Sequence, residues 1–230
     1  MSADLLHEAR SYLVNVCRGK QNSFDTVHPW RKDWQFTVLH SLRVEAYALK
    51  ILARESHGLS DPEIVLLRTA AILHDIAKLD QAEQHAQAGA AIVRTWFQNN
   101  QGYALKNDEI EKVLEMIADH SNKAVREQDF SKAVLKDADT LDEIGVMSIF
   151  MTSNWLERRS PFFFHDLRQR LIEFELPFCD EKLATLNTAG AKMLLREKKA
   201  FVESFIAQLT DEVQADASIE TMLRNFPITP

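Results

Sequence analysis

The residues of this sequence with the greatest chemical potential are His40, the adjacent pair His74 and Asp75, His85, His120 and Asp139. Each sits near the end of an apolar stretch with helical spacing. A catalytic divalent metal needs lone-pair donors on short side chains and at least one open position for water. Mixed imidazole and carboxylate donors suit Mn2+, Fe, Co2+ or Zn2+ better than Ca2+. Adjacent residues on a helix point about 100° apart, so His74 and Asp75 reach one ion only if it lies off the helix flank. The dipeptide itself is weak support, because about one such pair is expected in every two chains of this composition. His165-Asp166 is a second pair. It follows Pro161 and three phenylalanines at a helix start, where Asp166 serves the helix dipole, and it reads as structural.

Helices must position these side chains. Six glycines and six prolines in 230 residues are too few for the frequent turns of an all-β chain. A weak helix is expected over Asp4–Arg18, followed by a polar loop around Gly19–Asp25. Phe36, Leu39, Arg43, Val44, Tyr47, Ile51 and Leu52 recur at three- and four-residue spacing and predict a helix over Gln35–Glu55. Ser60, Pro62 and Glu63 are good start chemistry for the next helix, which runs to about Lys78 and is apolar enough to be central. Further helices are expected over His85–Gln98, ended by the turn signal Asn99-Asn100-Gln101-Gly102, and from a capping Asn107 to about His120. A segment from Ser131 carries Asp137, Asp139 and Asp142 and continues towards Arg159 until Pro161 stops it. Asp137 reads as the cap of its own helix. Pro177 is expected to separate helices Phe163–Glu175 and Asp180–Leu186, with a long helix from about Thr188 to Gln214 and a loose tail after Asp216. The fold class is therefore all-α. The simplest division is one domain over residues 1–230, with a motif-bearing core at about 34–150 and C-terminal helices at 161–214 packed on it.

The bulk properties exclude some functions. A net charge of -7 without a Lys/Arg stripe argues against a nucleic-acid polymer as partner. A phosphorylated small molecule stays open, since a local metal overrides the long-range field. Cys17 and Cys179 form no CxxC pattern, which argues against a disulfide framework and for a reducing cytoplasm. The opening residues mix Asp4, His7, Glu8 and Arg10 among apolar ones and predict no leader. Ile64–Leu73 is interrupted by Arg68 and is too short to span a bilayer, so no membrane association is expected. Oligomeric state is not readable from these patterns.

The flanking residues have two readings each. Lys78, one turn beyond the His74-Asp75 pair, either neutralises a bound phosphate or satisfies a helix C-terminus. Arg43, one turn from His40, either holds phosphate or pairs with a carboxylate. Asp142, one turn after Asp139, suits a role in orienting a ligand histidine. His7 and His57 read as solvated. His28, before Pro29-Trp30, is read as a surface residue or the edge of an entrance. The tryptophans are core or edge residues, and Trp34 is the one placed to pack over the site.

Taken together, His40 with Arg43-Val44, Ala70-Ala71-Ile72-Leu73-His74-Asp75-Ile76-Ala77-Lys78, and Asp137-Ala138-Asp139-Thr140-Leu141-Asp142 resemble the HD superfamily of metal-dependent phosphohydrolases. The likeness spreads over roughly residues 34–150, and the region before Asp33 has no clear counterpart. Weaker echoes at Lys182-Leu183, Asn187-Thr188 and Ala191-Lys192 resemble a bacterial subgroup of uncharacterised HD hydrolases. Met151 stands where that subgroup usually carries an arginine, which bears on substrate contacts more than on metal binding. The resemblance implies that His40, His74, Asp75 and Asp139 ligate a divalent cation (Mn2+, Fe, Co2+, Mg2+ or Zn2+). Some HD enzymes hold two metals, and His85 and His120 look like those additional positions. Their bland readings are a solvated helix start for His85 and a helix-dipole partner for His120.

The activity this implies is hydrolysis of a phosphate ester or anhydride of a small metabolite, with nucleotides favoured. Asp75 would orient water while Lys78 and Arg43 offset phosphoryl charge. Two rival readings share the fold: a di-iron oxygenase that cleaves carbon bonds, and a non-catalytic nucleotide sensor.

Overall fold

The computed structural model describes residues 2–22, 27–100, 105–123, 126–213 and 217–226. Among them the regular structure is helical throughout, and the only extended pairing is an isolated antiparallel bridge between Gln21 and Asp33. Helices α1 (Ser2–Cys17), α2 (Trp34–Leu52), α3 (Asp61–Leu73), α4 (His85–Asn99), α5 (Asn107–Asp119) and α6 (Phe130–Leu141) come first. A short 3-10 turn, Pro29–Lys32, leads into α2.

Helix α3 is the central rod. Its start is fixed by Glu63, whose carboxylate accepts from the Ser60 amide at 2.9 Å and the Ser60 hydroxyl at 2.8 Å. Leu67, Ala70, Ala71, Ile72 and Leu73 are fully buried, with α1, α2, α5 and α6 packed around them. Such an all-round apolar helix gains stability only by enclosure. The helix does not run to Lys78. Past Leu73 the chain tightens into turns, with Ile76 N–H on Leu73 O (3.1 Å) and Lys78 N–H on Asp75 O (2.9 Å).

The segment expected to run from Ser131 to Arg159 is two helices, α6 and α7 (Val146–Ser153). The turn between them holds Glu143 at φ 64° and Gly145 at φ 93°. Gly145 supplies a conformation that other residues adopt at a cost, and this breaks the helix. Asp129, not Asp137, caps α6 by accepting from Lys132 N–H at 2.9 Å. Helix α5 is likewise preceded by Lys106, whose amide donates to Glu109 at 2.8 Å, so Asn107 is its first residue rather than its cap.

Pro177 does not separate two helices. Helix α8 (Phe163–Arg170) passes through a π-helical turn (Leu171–Glu175) directly into α9 (Leu176–Thr185). Pro177 falls in the first turn of α9, where a missing N–H costs little. Thr188 caps α10 (Ala189–Glu212), which packs against α2 and α6. A side chain at Gly190 would put its Cβ 2.6 Å from Ile51 O, so only glycine permits this approach of α10 to the end of α2. The expected loose tail contains a further helix, α11 (Ala217–Arg224). Gln214 and Asp216, like Asp25 in the first loop and Gln101-Gly102 after α4, lie outside the described residues.

The main core draws on α1 to α6 together with Cys179, Leu186, Ala191, Leu194 and Leu195. A second, smaller cluster joins Ile149, Leu167 and Leu171 to Val202, Ile206 and Leu209 of α10. No helix among the described residues is long and apolar enough to cross a membrane.

Candidate metal centre

The end of α3 is where the chemistry collects. His74 caps α3, His120 caps α5, and His85 is the first residue of α4. Each of the three bonds through Nδ1 to the carbonyl three residues before it: His74 to Ala71 (2.8 Å), His85 to Ala82 (2.7 Å) and His120 to Ile117 (2.7 Å). A carbonyl only accepts, so each Nδ1 carries the hydrogen and each Nε2 is left with a lone pair. His40, on α2, places Nδ1 2.7 Å from Asp142 Oδ2.

The four Nε2 atoms then converge on two carboxylates. His40 Nε2 lies 3.2 Å from Asp139 Oδ1, 3.5 Å from Asp75 Oδ2 and 3.3 Å from His74 Nε2. His74 Nε2 lies 3.7 Å from Asp139 Oδ1 and 3.8 Å from Asp75 Oδ2. The other oxygen of Asp75 faces a second group: Oδ1 is 3.3 Å from His85 Nε2 and 3.4 Å from His120 Nε2, which are 3.2 Å apart. The tightening of the chain after Leu73 is what lets consecutive residues serve one cluster.

This donor set fits a cation. Two bare imidazole lone pairs at 3.3 Å repel each other; a proton on His40 or a cation held between the rings relieves this. Four donors about 2.1 Å from one ion in tetrahedral array lie about 3.4 Å apart, the spacing seen here. The groupings His40–His74–Asp75, His74–His120–Asp139 and Asp75–His85–His120 could each hold an ion, with Asp75 shared between two of them. The charge balance points the same way. Burial opposes charge on His40, yet the bonded carboxylates of Asp139 and Asp142 push it up to about 10. Burial lowers His74. Burial also works against the Asp75 anion, but His74, His120 and Lys78 hold it well below the usual carboxylate range.

Around the cluster is an open cavity of about 490 Å³. Two lysines line it beside the carboxylates: Lys78 Nζ sits 3.4 Å from Asp75 Oδ1 and 3.3 Å from His85 Nε2, and Lys123 Nζ sits 2.6 Å from Asp139 Oδ2. Arg31 also lines it, paired with Glu143. Arg43 is engaged elsewhere, gripping both oxygens of Asp142 at 2.8 and 2.9 Å. It therefore acts on the carboxylate that holds His40. Lys123 and Arg31 were not singled out from the sequence. Both lie in connecting segments without periodicity, and only their charge could have drawn notice.

Several expectations need correction. His85 and His120 are buried, which excludes the solvated reading of the first. His28 is buried rather than at the surface, its Nδ1 3.1 Å from Asn154 Nδ2 and its ring edge-on to Trp155, and it lines a cavity, in keeping with the entrance reading. His57 is half-buried and stacks on Phe130. Trp34 is the first residue of α2 and packs against the main core, as the core reading of the tryptophans has it. The structural reading of His165-Asp166 stands: Asp166 lies in the first turn of α8 and meets Arg224 of α11 at 2.8 Å.

Asp142 supports a quantitative expectation. Its carboxylate is gripped by Arg43 and fixes the ring of His40 from behind. Asp142→Ala should weaken divalent-metal affinity about 10- to 100-fold while the helical circular dichroism is unchanged. Unaltered metal affinity by calorimetric titration would show that His40 needs no such support.

Comparison with known proteins agrees with this arrangement. The chain matches the HD domain family over residues 37–144. No curated protein matches it. Similar solved structures include Bacillus subtilis YpgQ in complex with ADP, with a TM-score of 0.57 and 19% identity over 93% of this chain and 97% of that one. A predicted HD superfamily hydrolase from an uncultured Thermotogales bacterium gives 0.58 and 20% over 89% and 92%. The Lin1889 protein of Listeria innocua gives 0.56 and 19% over 94% and 99%. At such identities the likeness speaks for the fold.

Proposed function

Because residues 37–144 of this chain match the HD domain family, we propose that its buried cluster holds a divalent cation and that the protein hydrolyses a phosphate ester or anhydride bond of a small metabolite, a nucleotide in particular. The observation that carries this reading is the convergence of four histidine Nε2 atoms on Asp75 and Asp139. His40, His74, Asp75 and Asp139 would hold one ion; His85 and His120, with the second oxygen of Asp75, would hold another. Mn2+, Fe, Co2+, Zn2+ and Mg2+ are the candidates.

Such a cation supplies Lewis acidity and brings the pKa of water towards neutrality. The chain's own residues do the rest. Lys78 and Lys123, on two sides of the cavity, neutralise phosphoryl oxygens as charge grows on them. Each already leans on a cluster carboxylate, so its ammonium group is held near the reacting position. Arg43 contributes through Asp142 and thus keeps His40 in its orientation. In a chain of net charge -7, Lys78 and Lys123 bring positive charge to a wall that also holds Asp75, Asp139, Asp142 and Glu143, and an anionic ligand would meet them there. The ADP complex of the similar B. subtilis YpgQ supports a nucleotide over other phosphorylated compounds.

The test is a screen of phosphorylated metabolites with each of these metals added, and elemental analysis of the same preparation. Release of phosphate or pyrophosphate that a chelator abolishes is expected. No release from any compound with any metal would overturn the reading. Two irons per chain with oxygen uptake would turn it towards oxidative chemistry.

A further inference from the structure

Beside the metal cavity lies a second, larger one of about 680 Å³, and the two share Arg31, Asp142 and Glu143 in their walls. The volume is in the range of small-ligand sites, roughly 300–1,000 Å³. Its lining is unlike that of the first. Met151, Trp155, Phe174 and Phe178 present apolar and aromatic surface. Trp155, Phe174 and Phe178 are 58%, 57% and 41% exposed, a high value for such large apolar side chains. The guanidinium of Arg170 lies over two of these rings, 5.5 Å from the centre of Trp155 and 4.6 Å from that of Phe174.

Rings and a stacked guanidinium form the kind of platform on which planar heterocycles settle, because every base has a π face. The wall is also built with an irregularity. Glu173, Phe174 and Glu175 belong to the π-helical turn between α8 and α9, and such turns concentrate at functional sites. Glu175, almost fully buried, lines the same cavity and offers a polar group that can read the edge of a base.

Resting on the phosphohydrolase reading above, we infer that this aromatic cavity receives the nucleobase of a nucleotide whose phosphates lie at the histidine–aspartate cluster. The ion pair of Arg31 with Glu143 stands where the two cavities meet. Trp155 and Phe174 would then set the preference for a nucleotide over a bare polyphosphate without touching the bond that breaks. Met151 adds a further apolar side chain to this wall.

The experiment compares adenosine triphosphate with tripolyphosphate, which lacks a base, on metal-supplemented protein. Dissociation constants come from calorimetric titration, and KM and kcat are measured for whichever compound is turned over. Trp155→Ala and Phe174→Ala should each weaken adenosine triphosphate about tenfold, in Kd and in KM, with kcat nearly unchanged. Tripolyphosphate should stay within about twofold of wild type, and Trp155→Phe should recover most of the nucleotide affinity. Phe164→Ala, which removes an equally exposed ring outside the cavity, should change neither. Equal losses for both polyphosphates, or no loss for either, would overturn the inference. So would a wild-type protein that binds adenosine triphosphate no more tightly than tripolyphosphate. The two readings fail separately: hydrolysis without aromatic dependence removes only the base site, and aromatic-dependent binding without turnover removes only the hydrolase.

Discussion

Asp75→Ala should reduce turnover of the best phosphorylated substrate by about a thousandfold or more, with the helical fold retained. The expectation rests on the double duty of this carboxylate, whose two oxygens face two different groups of histidines. No other side chain among the described residues belongs to the same two groupings. His74→Ala should behave similarly, because His74 is fully buried and contributes to two of the possible ion groupings. Neither side chain is part of the apolar core, so the melting transition should remain cooperative. The check is steady-state kinetics beside metal content by elemental analysis. Asp75→Ala protein as active as wild type would remove the mechanism.

The largest effect on stability is expected away from the cluster, at Asp137. This carboxylate is 1% exposed and accepts from the amides of Asn187 and Thr188 at 3.0 and 2.7 Å, the Asn187 side chain at 2.9 Å and the Thr188 hydroxyl at 2.8 Å. It thereby fixes the residue that caps α10 onto the helix that carries Asp139. Asp137→Ala would leave several buried donors without an acceptor, and one such group costs about 1–3 kcal/mol. The total should be about 3 kcal/mol or more, which lowers the melting temperature by roughly 6–12 °C for a chain of this size. Asp137→Asn keeps one accepting oxygen and should fall between the two. A thermal melt of Asp137→Ala within about 2 °C of wild type would show that the donors find other acceptors.

Asp137 also marks the limit of what the sequence reveals. Its partners lie about fifty positions along the chain, so spacing alone suggested a local cap. By contrast, the start of α3 was legible because Ser60 and Glu63 are a local unit. The periodic runs of α2 and α3 were legible because burial imposes a 3.6-residue rhythm. The joining of His40, His74, Asp75, His85, His120 and Asp139 in space was implied by the family resemblance rather than by helix-end placement, since His40 lies well inside α2; the division of Asp75 between two groups was not readable. Turn chemistry was harder. Gly145 was the available sign of the break between α6 and α7, set within an apolar stretch that reads as continuous helix. Pro177 suggested a boundary, whereas a π turn absorbs it. Helix α11 carries Ile219, Met222 and Leu223 at helical spacing, but these side chains are largely exposed, and a short exposed helix leaves little trace in pattern.

Glu143 adopts φ 64° without being glycine, a conformation that costs of order 1 kcal/mol or more. It does so at the junction of the two cavities, where its carboxylate meets Arg31. Selection for heat resistance would find this position early, since Glu143→Gly relaxes the backbone. The same change would remove the carboxylate that holds Arg31 in the wall common to both cavities. Hardier variants obtained here should therefore be slower or less discriminating ones, a trade-off recurrent where strain is stored beside a working site.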